Sequence, residues 1–310
     1  MTAVMTPKTV VARIAAAIPE DCRGEVILVG SLAAGYHFFE DDGNRSIQTK
    51  DVDCMFSPHA KAVGAATQVA HRLLEANWKQ KVDGDWGKPG DEHTPDDKLP
   101  LIRLKPPGED GWFLEFLGAP DAGSDSPKTF YRVLVGNGHY AICSFNYLAL
   151  AEVDPIETKY GVRIARPEMM ALANLLHHPV ISPEPINGGS DKRSNKDLGR
   201  VVALAWLTAE RDRRTDSESL DAWPQRMAEA LQAKFPGQAR RLALQAGSGL
   251  RELLNSEADR AQALKICNRG LLASFDVGLD AFLATIRRLL QQVIEPLEEL
   301  ANGWEEGEAP

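Results

Sequence analysis

Strand-forming patterns in this chain stop at Pro167. Before it, short apolar runs alternate with helical stretches; after it, only helical periodicity remains. A sheet must therefore be built from the first half alone. The pattern predicts an α+β protein, with a sheet-containing domain over residues 1–165 and a helical domain over 166–310. A chain of 310 residues has room for both.

In the first half Val10, Val11, Ile14 and Ile18 recur at helical spacing behind Pro7, which suits a first helical turn. Val26–Gly30 reads as a buried strand and Leu32–Phe39 as a short helix. Asp51–Phe56 is a second strand. His59–Trp78 is a long helix with Val63, Ala66, Val69, Ala70, Leu73 and Leu74 on one face. Lys81–Pro100 is charged and rich in Gly and Pro, and reads as a loop. Leu101–Lys105 and Trp112–Leu117 are strands around a Pro-Pro-Gly turn. Tyr131–Val135 and His139–Cys143 flank Gly136-Asn137-Gly138, a hairpin signal. Phe145–Val153 reads as helical and Gly161–Ala165 as a last strand. Beyond it, helices are expected over Pro167–His178, Asn195–Arg213, Ser219–Phe235, Gly237–Leu254, Glu257–Ser274 and Asp276–Leu300. A linker at Ile181–Ser194 and a frayed acidic tail complete the chain.

Lys+Arg 35 against Asp+Glu 44 gives a net charge of -9. That argues against a polyanion binder that uses its whole surface, and leaves a local basic patch open. No run reaches the ~18 apolar residues of a membrane helix, and the N-terminus reads as an amphipathic helix rather than a signal peptide. Cys22, Cys54, Cys143 and Cys267 are far apart and form no C-x-x-C pair. Buried, reduced thiols in a cytoplasmic protein are expected, with no zinc site.

The chemistry-bearing stretch runs from Gly30 to Asp53. A buried strand ends in Gly30-Ser31 and feeds a helix; a second strand opens Thr49-Lys50-Asp51-Val52-Asp53. Carboxylates at i and i+2 on a strand share a face, and such crowding favours a neutralising cation. Mg²⁺ takes oxygen ligands and tolerates one or two carboxylates plus substrate phosphates. Gly30 lets a phosphate approach the backbone, and Ser31 adds a hydroxyl and an N–H at a helix start. The plainer alternative is a solvated Asp face.

This combination resembles the nucleotidyltransferase-fold family: a Gly-Ser strand end, a strand with D-x-D, and a third acidic residue on a later strand. The stretch GSLAAGYHFFEDDGNRSIQTKDVD is similar to a bacterial subgroup with the look G-[ST]-x-A-x-x-Y, an insertion, then T-x-D-x-D. That subgroup is related to the AbiEii-type abortive-infection toxins. The resemblance spans roughly residues 24–215 and implies a mixed sheet with flanking helices. It implies that Asp51 and Asp53 bind two Mg²⁺ ions bridging the phosphates of an NTP, held also by Gly30 and Ser31. Glu115, acidic within an apolar strand, would be the third metal-side carboxylate or general base; the competing reading pairs it with Arg103. The subgroup carries a Lys-Asp motif after a helix and a basic loop, and here the pair is Lys196-Asp197. Lys192, Lys196 and Arg200 share a helix face if that helix begins early enough. Lys192, Lys196 and Asp197 would then join the nucleotide site. Otherwise they form a solvated face, with Asp197 paired to Arg193. His37 is either a packed residue or one that reaches the nucleotide, and His177-His178 read as a plain helix end.

The function implied is Mg²⁺-dependent transfer of an NMP from NTP to an acceptor hydroxyl, in a toxin- or defence-like setting. RNA such as tRNA is the expected acceptor, and an antitoxin protein a further partner. The alternatives are transfer to a small molecule such as an antibiotic, and a nucleotide- or partner-binding protein without turnover. Basic residues outnumber acidic ones between Lys192 and Arg269, which favours RNA.

Overall fold

The computed structural model describes residues 3–40, 42, 45–82, 87–109, 111–121, 128–136, 138–181, 191–215 and 219–304. The chain divides at Arg166/Pro167 into two compact units. The first is a mixed sheet with helices, and the second is helical. Most of the expected linker, at 182–190, and of the acidic tail, at 305–310, lies outside the described residues, as does Asn137 of the hairpin turn.

The first unit opens with β1 (Ala3–Met5), which the periodicity did not reveal, and α1 (Pro7–Ala17). Pro7 sits in the first turn of α1, and Val10, Val11 and Ile14 are buried. After a one-turn α2 (Glu20–Arg23), β2 (Val26–Val29) is buried along its whole length and runs directly into α3 (Gly30–Phe39). β3 (Ile47–Thr49) pairs with β1, apart from the main sheet. β4 (Asp51–Phe56) is followed by α4 (His59–Glu75). α4 buries Ala62, Ala65, Ala66, Val69, Ala70 and Leu73, whereas Val63 and Leu74 are exposed. The inward stripe is thus mostly alanine, a small-residue face that an apolar count underweights.

β5 (Lys79–Gln80), β6 (Arg103–Lys105) and β7 (Phe113–Gly118) continue the sheet. β8 (Lys128–Val135) and β9 (Gly138–Phe145) form the expected hairpin. A 3₁₀ segment at Asn146–Glu152 stands where a helix was expected. Two short strands, β10 (Ile156–Glu157) and β11 (Arg163–Ile164), close the unit. The strand order is β10-β11-β2-β4-β7-β6-β5, with β9 joining β7 at Leu117↔Cys143. β11–β2 and β4–β7 are parallel, while β2–β4, β6–β7 and β5–β6 are antiparallel.

The pleat sorts the residues of β4 and β7. Val52, Cys54, Leu114 and Phe116 share one face and are fully buried, and the rings of Phe56 and Phe116 lie 4.9 Å apart in the same layer. Asp51, Asp53, Phe113 and Glu115 share the other face and keep partial exposure.

The second unit contains α5 (Pro167–Ile181), α6 (Arg193–Thr215), α7 (Trp223–Lys234), α8 (Ala239–Gln245), α9 (Ser248–Asn255), α10 (Glu257–Arg269), α11 (Leu279–Leu289) and α12 (Glu295–Asn302). The expected core stripe of α6, Leu198, Val201, Val202 and Ala205, is buried. Gly199 lies against α10: a Cβ there would stand 2.9 Å from the Ala263 carbonyl oxygen. The single helix expected over Gly237–Leu254 is α8 plus α9. The break falls at Gly247, where a Cβ would stand 2.4 Å from Ile294 Cγ2. The helix expected over Asp276–Leu300 is α11, a π turn at Leu290–Ile294, and α12. Pro296 has no N–H to return to the preceding turn, so the ladder widens there. No described helix is long and apolar enough to cross a membrane.

Candidate functional site

The site is built at the point where β2 becomes α3. Gly30 is the first helical residue and has φ +73°, a left-handed conformation that lets the strand turn into the helix within one residue. Gly30 and Ser31 are the first two residues of α3, so their N–H groups lack intrahelical acceptors. Val29, just before them, is paired with Asp53 across β2–β4. The close contact follows from that register: a Cβ at Gly30 would stand 2.7 Å from Asp53 Oδ2. Glycine is what lets backbone and carboxylate share this space.

Asp51 and Asp53 lie on the same face of β4, both partly exposed. Thr49, at the end of β3, donates its hydroxyl to the Asp51 carbonyl oxygen at 2.9 Å and to Asp51 Oδ1 at 3.1 Å. It therefore fixes both the β3–β4 corner and the carboxylate beyond it. Thr49 was legible in the sequence as part of T-K-D-V-D, but no role for it followed from spacing.

Glu115 is the register partner of Asp53 on the adjacent parallel strand, so it occupies the same face. It is also paired in register with Arg103 of β6, whose Nε–H donates to Glu115 Oε2. The two side chains keep 17% and 24% exposure, so this ion pair is half-sheltered rather than a solvated surface contact. The pairing with Arg103, one of the two sequence readings, is thus formed, and Glu115 nevertheless stands beside Asp53. Among the described residues no group of three or more His, Cys, Asp or Glu is arranged as a ready metal-ligand set.

Burial raises two nearby thiols. Cys54, on the opposite face of β4, is pushed far up by burial and then by the Asp53 charge. Cys143 is pushed up to about 11, first by burial, with Lys128 and Arg103 opposing and Glu115 reinforcing. Neither is a thiolate near neutral pH, and all four cysteines are free and buried, as expected.

Two of the three residues expected from the second unit, Lys192 and Asp197, have partners within it. Lys192 precedes α6, which begins at Arg193, so it is not on the helical face with Lys196 and Arg200. Its ammonium donates to Asp259 Oδ1 at 2.8 Å, and Asn195 Nδ2 donates to the same oxygen. These bonds, Asn195 foremost, hold the Asp259 carboxyl down at about 2. Lys196 is half-buried in the first turn of α6. Asp197 is buried, and its Oδ2 lies 2.8 Å from His177 Nδ1 of α5, a partner that i, i+4 reasoning did not anticipate. His37 is buried against the Phe38 ring. No protein-family model, curated protein or solved structure matches this chain.

Proposed function

We propose that the first unit is a Mg²⁺-dependent nucleotidyltransferase acting on an NTP. One observation carries the reading: Gly30, at positive φ and at the start of α3, leaves no room for a side chain beside Asp53. The start of α3 thereby adjoins two carboxylates on one sheet face. Such a start binds anions, and a carboxylate pair suits a hard cation; an NTP complexed to Mg²⁺ combines the two.

In this reading the N–H groups of Gly30 and Ser31, with the Ser31 hydroxyl, take the β- and γ-phosphates. Asp51, oriented by Thr49, and Asp53 supply oxygen ligands, and Glu115 is the third carboxylate of the face. Mg²⁺, when bound, would neutralise the phosphate charge that builds during transfer. The acceptor oxygen forms its bond to the α-phosphorus as the bond to the α–β bridging oxygen breaks. Pyrophosphate leaves, and the hydroxyl proton passes to a carboxylate of the site and on to solvent. A part for Lys192 would come at the expense of its bond to Asp259. The RNA acceptor, the defence-like setting and an antitoxin partner rest on the family resemblance.

The test is incubation with each NTP labelled at the α-phosphate, with Mg²⁺ and total RNA or cell extract. Label should move to an acceptor, and Asp53→Asn should lower transfer by several orders of magnitude. NTP binding without transfer under any acceptor would assign the site to recognition alone. Neither binding nor transfer would refute the reading.

A further inference from the structure

The corner that leads into Asp51 is held from outside the main sheet. β1 and β3 form a separate two-stranded ribbon, in which Ala3 is the register partner of Thr49 and Met5 that of Ile47. Thr49 ends β3, Lys50 follows, and the chain enters the main sheet at Asp51. The backbone of that corner is tied to β7 as well, since the Phe113 N–H donates to the Lys50 carbonyl oxygen at 2.9 Å. Thr49 is a polar residue with only 6% exposure, and the two oxygens that its single O–H reaches are both on Asp51. A buried hydroxyl satisfied in this way holds its neighbour's side chain as firmly as its own.

The other end of the ribbon is seated on α3. Ile47 is fully buried, and Gly35 of α3 faces it: a Cβ at Gly35 would stand 2.8 Å from Ile47 Cγ2 and 2.9 Å from Pro7 Cγ. Pro7 opens α1 just after β1, so both strands of the ribbon are anchored at one point of the helix. Neither contact is relieved by a swinging side-chain end, because Ile47 is enclosed and the Pro7 ring is closed onto its own backbone. Gly35 lies about 7.5 Å along α3 from Gly30. The ribbon therefore runs from α3 to Asp51, and the helix whose start adjoins the carboxylates also sets where the first carboxylate stands.

We propose that Thr49 is a positioning residue for the Asp51 carboxylate, and that the Gly35–Ile47 seat of the β1–β3 ribbon sets where Thr49 stands. This rests on the nucleotidyltransferase reading for the ligand, a divalent cation, and on the hydrogen bonds and packing for the role of each residue. Thr49 acts through Asp51, whose Oδ1 it holds. A carboxylate already held in one orientation meets a cation without first losing rotamer freedom. Removing a group that orients a metal ligand costs about ten- to a hundredfold in metal affinity or activity.

The experiment is a titration of the intact protein with Mn²⁺, followed by the electron paramagnetic resonance signal of the free ion. Thr49→Val removes the hydroxyl at nearly constant shape, and Thr49→Ser keeps it. Circular dichroism and thermal unfolding check the fold of each variant. Thr49→Val should weaken Mn²⁺ binding about tenfold, whereas Thr49→Ser should stay within about twofold of the parent. In an Asp51→Asn background Thr49→Val should bring no further loss, because the carboxylate it holds is gone. Gly35→Ala should weaken binding by a smaller factor, although it alters no residue of the carboxylate face. If Gly35→Ala does not fold, Ile47→Val loosens the same seat and takes its place. Equal Mn²⁺ affinity in the parent and folded Thr49→Val, equal losses with and without the Asp51 carboxylate, or no Mn²⁺ binding by the parent would each overturn the proposal. A folded seat variant that binds like the parent would overturn the part given to the ribbon. Thr49-dependent Mn²⁺ binding by a protein that transfers no nucleotide would uphold the positioning role and refute the nucleotidyltransferase reading instead.

Discussion

Replacing Gly30 by alanine tests the feature on which the site turns. Two costs are expected. A side chain at φ +73° carries about 1–2 kcal/mol of backbone strain. The new methyl also stands 2.7 Å from Asp53 Oδ2, well inside contact distance, so the carboxylate must rotate away. A carboxylate end moves more readily than backbone does, so the second cost falls mainly on the position of Asp53. For a unit of this size, 1 kcal/mol corresponds to about 2–4 °C in Tm. Gly30→Ala should therefore lower the Tm of the first unit by several degrees, measured by calorimetry. Nucleotide transfer should fall further than stability does, by about a hundredfold, since displacement by about an ångström has that scale of effect. A double-mutant cycle with Asp53→Ala separates the two costs. With the carboxylate gone, Gly30→Ala should retain only its backbone strain, giving a coupling of at least about 0.5 kcal/mol. Equal costs in both backgrounds would refute the claim that glycine is there to admit Asp53.

Three further outcomes are expected. Gly199→Ala should destabilise the second unit by about 1–3 kcal/mol in urea unfolding, because a methyl there meets the Ala263 backbone carbonyl of α10. Asp259, held at about 2, contributes stability that is complete above its unfolded value near 3.9 and is lost as pH falls toward 2; Asp259→Asn should flatten the stability profile over that range. Arg103→Gln removes the partner of Glu115, and the variant's Tm should rise more with added Mg²⁺ than the parent's; equal Mg²⁺ responses would make Glu115 a structural residue only.

Elements whose local pattern and burial agree are legible in the sequence. β2, β4, α3 and the β8–β9 hairpin follow from runs and turn residues, because an apolar strand or a Gly-x-Gly turn has few other uses. The short strands β1, β5 and β10 stayed hidden because two or three residues carry no period, and their pairing is decided by distant partners. The α8–α9 break likewise depends on Ile294, almost fifty positions away in the chain. At the site, Asp51 and Asp53 were legible from i, i+2 spacing. The contact of Gly30 with Asp53 was not, because it depends on the Val29↔Asp53 register. Nor could spacing show that Asp197 meets His177, or that Lys192 meets Asp259, since both partners come from other helices.

The pair formed by Glu115 and Arg103 ties the two halves of the polar face together. Asp53 and Glu115 are neighbours across parallel strands, and two carboxylates at that spacing disfavour each other's charge unless a cation intervenes. Arg103 is that cation for Glu115, delivered by β6 in register. Asp51 and Asp53 lie one strand further in, toward the start of α3. The same guanidinium also lies beside Phe113, close to Lys81 over the same ring. Arg103 therefore offsets part of the carboxylate charge of the inner strands. A divalent ion at Asp53 would compete with Arg103 for Glu115, which is why the Mg²⁺ response of Arg103→Gln reads the role of Glu115.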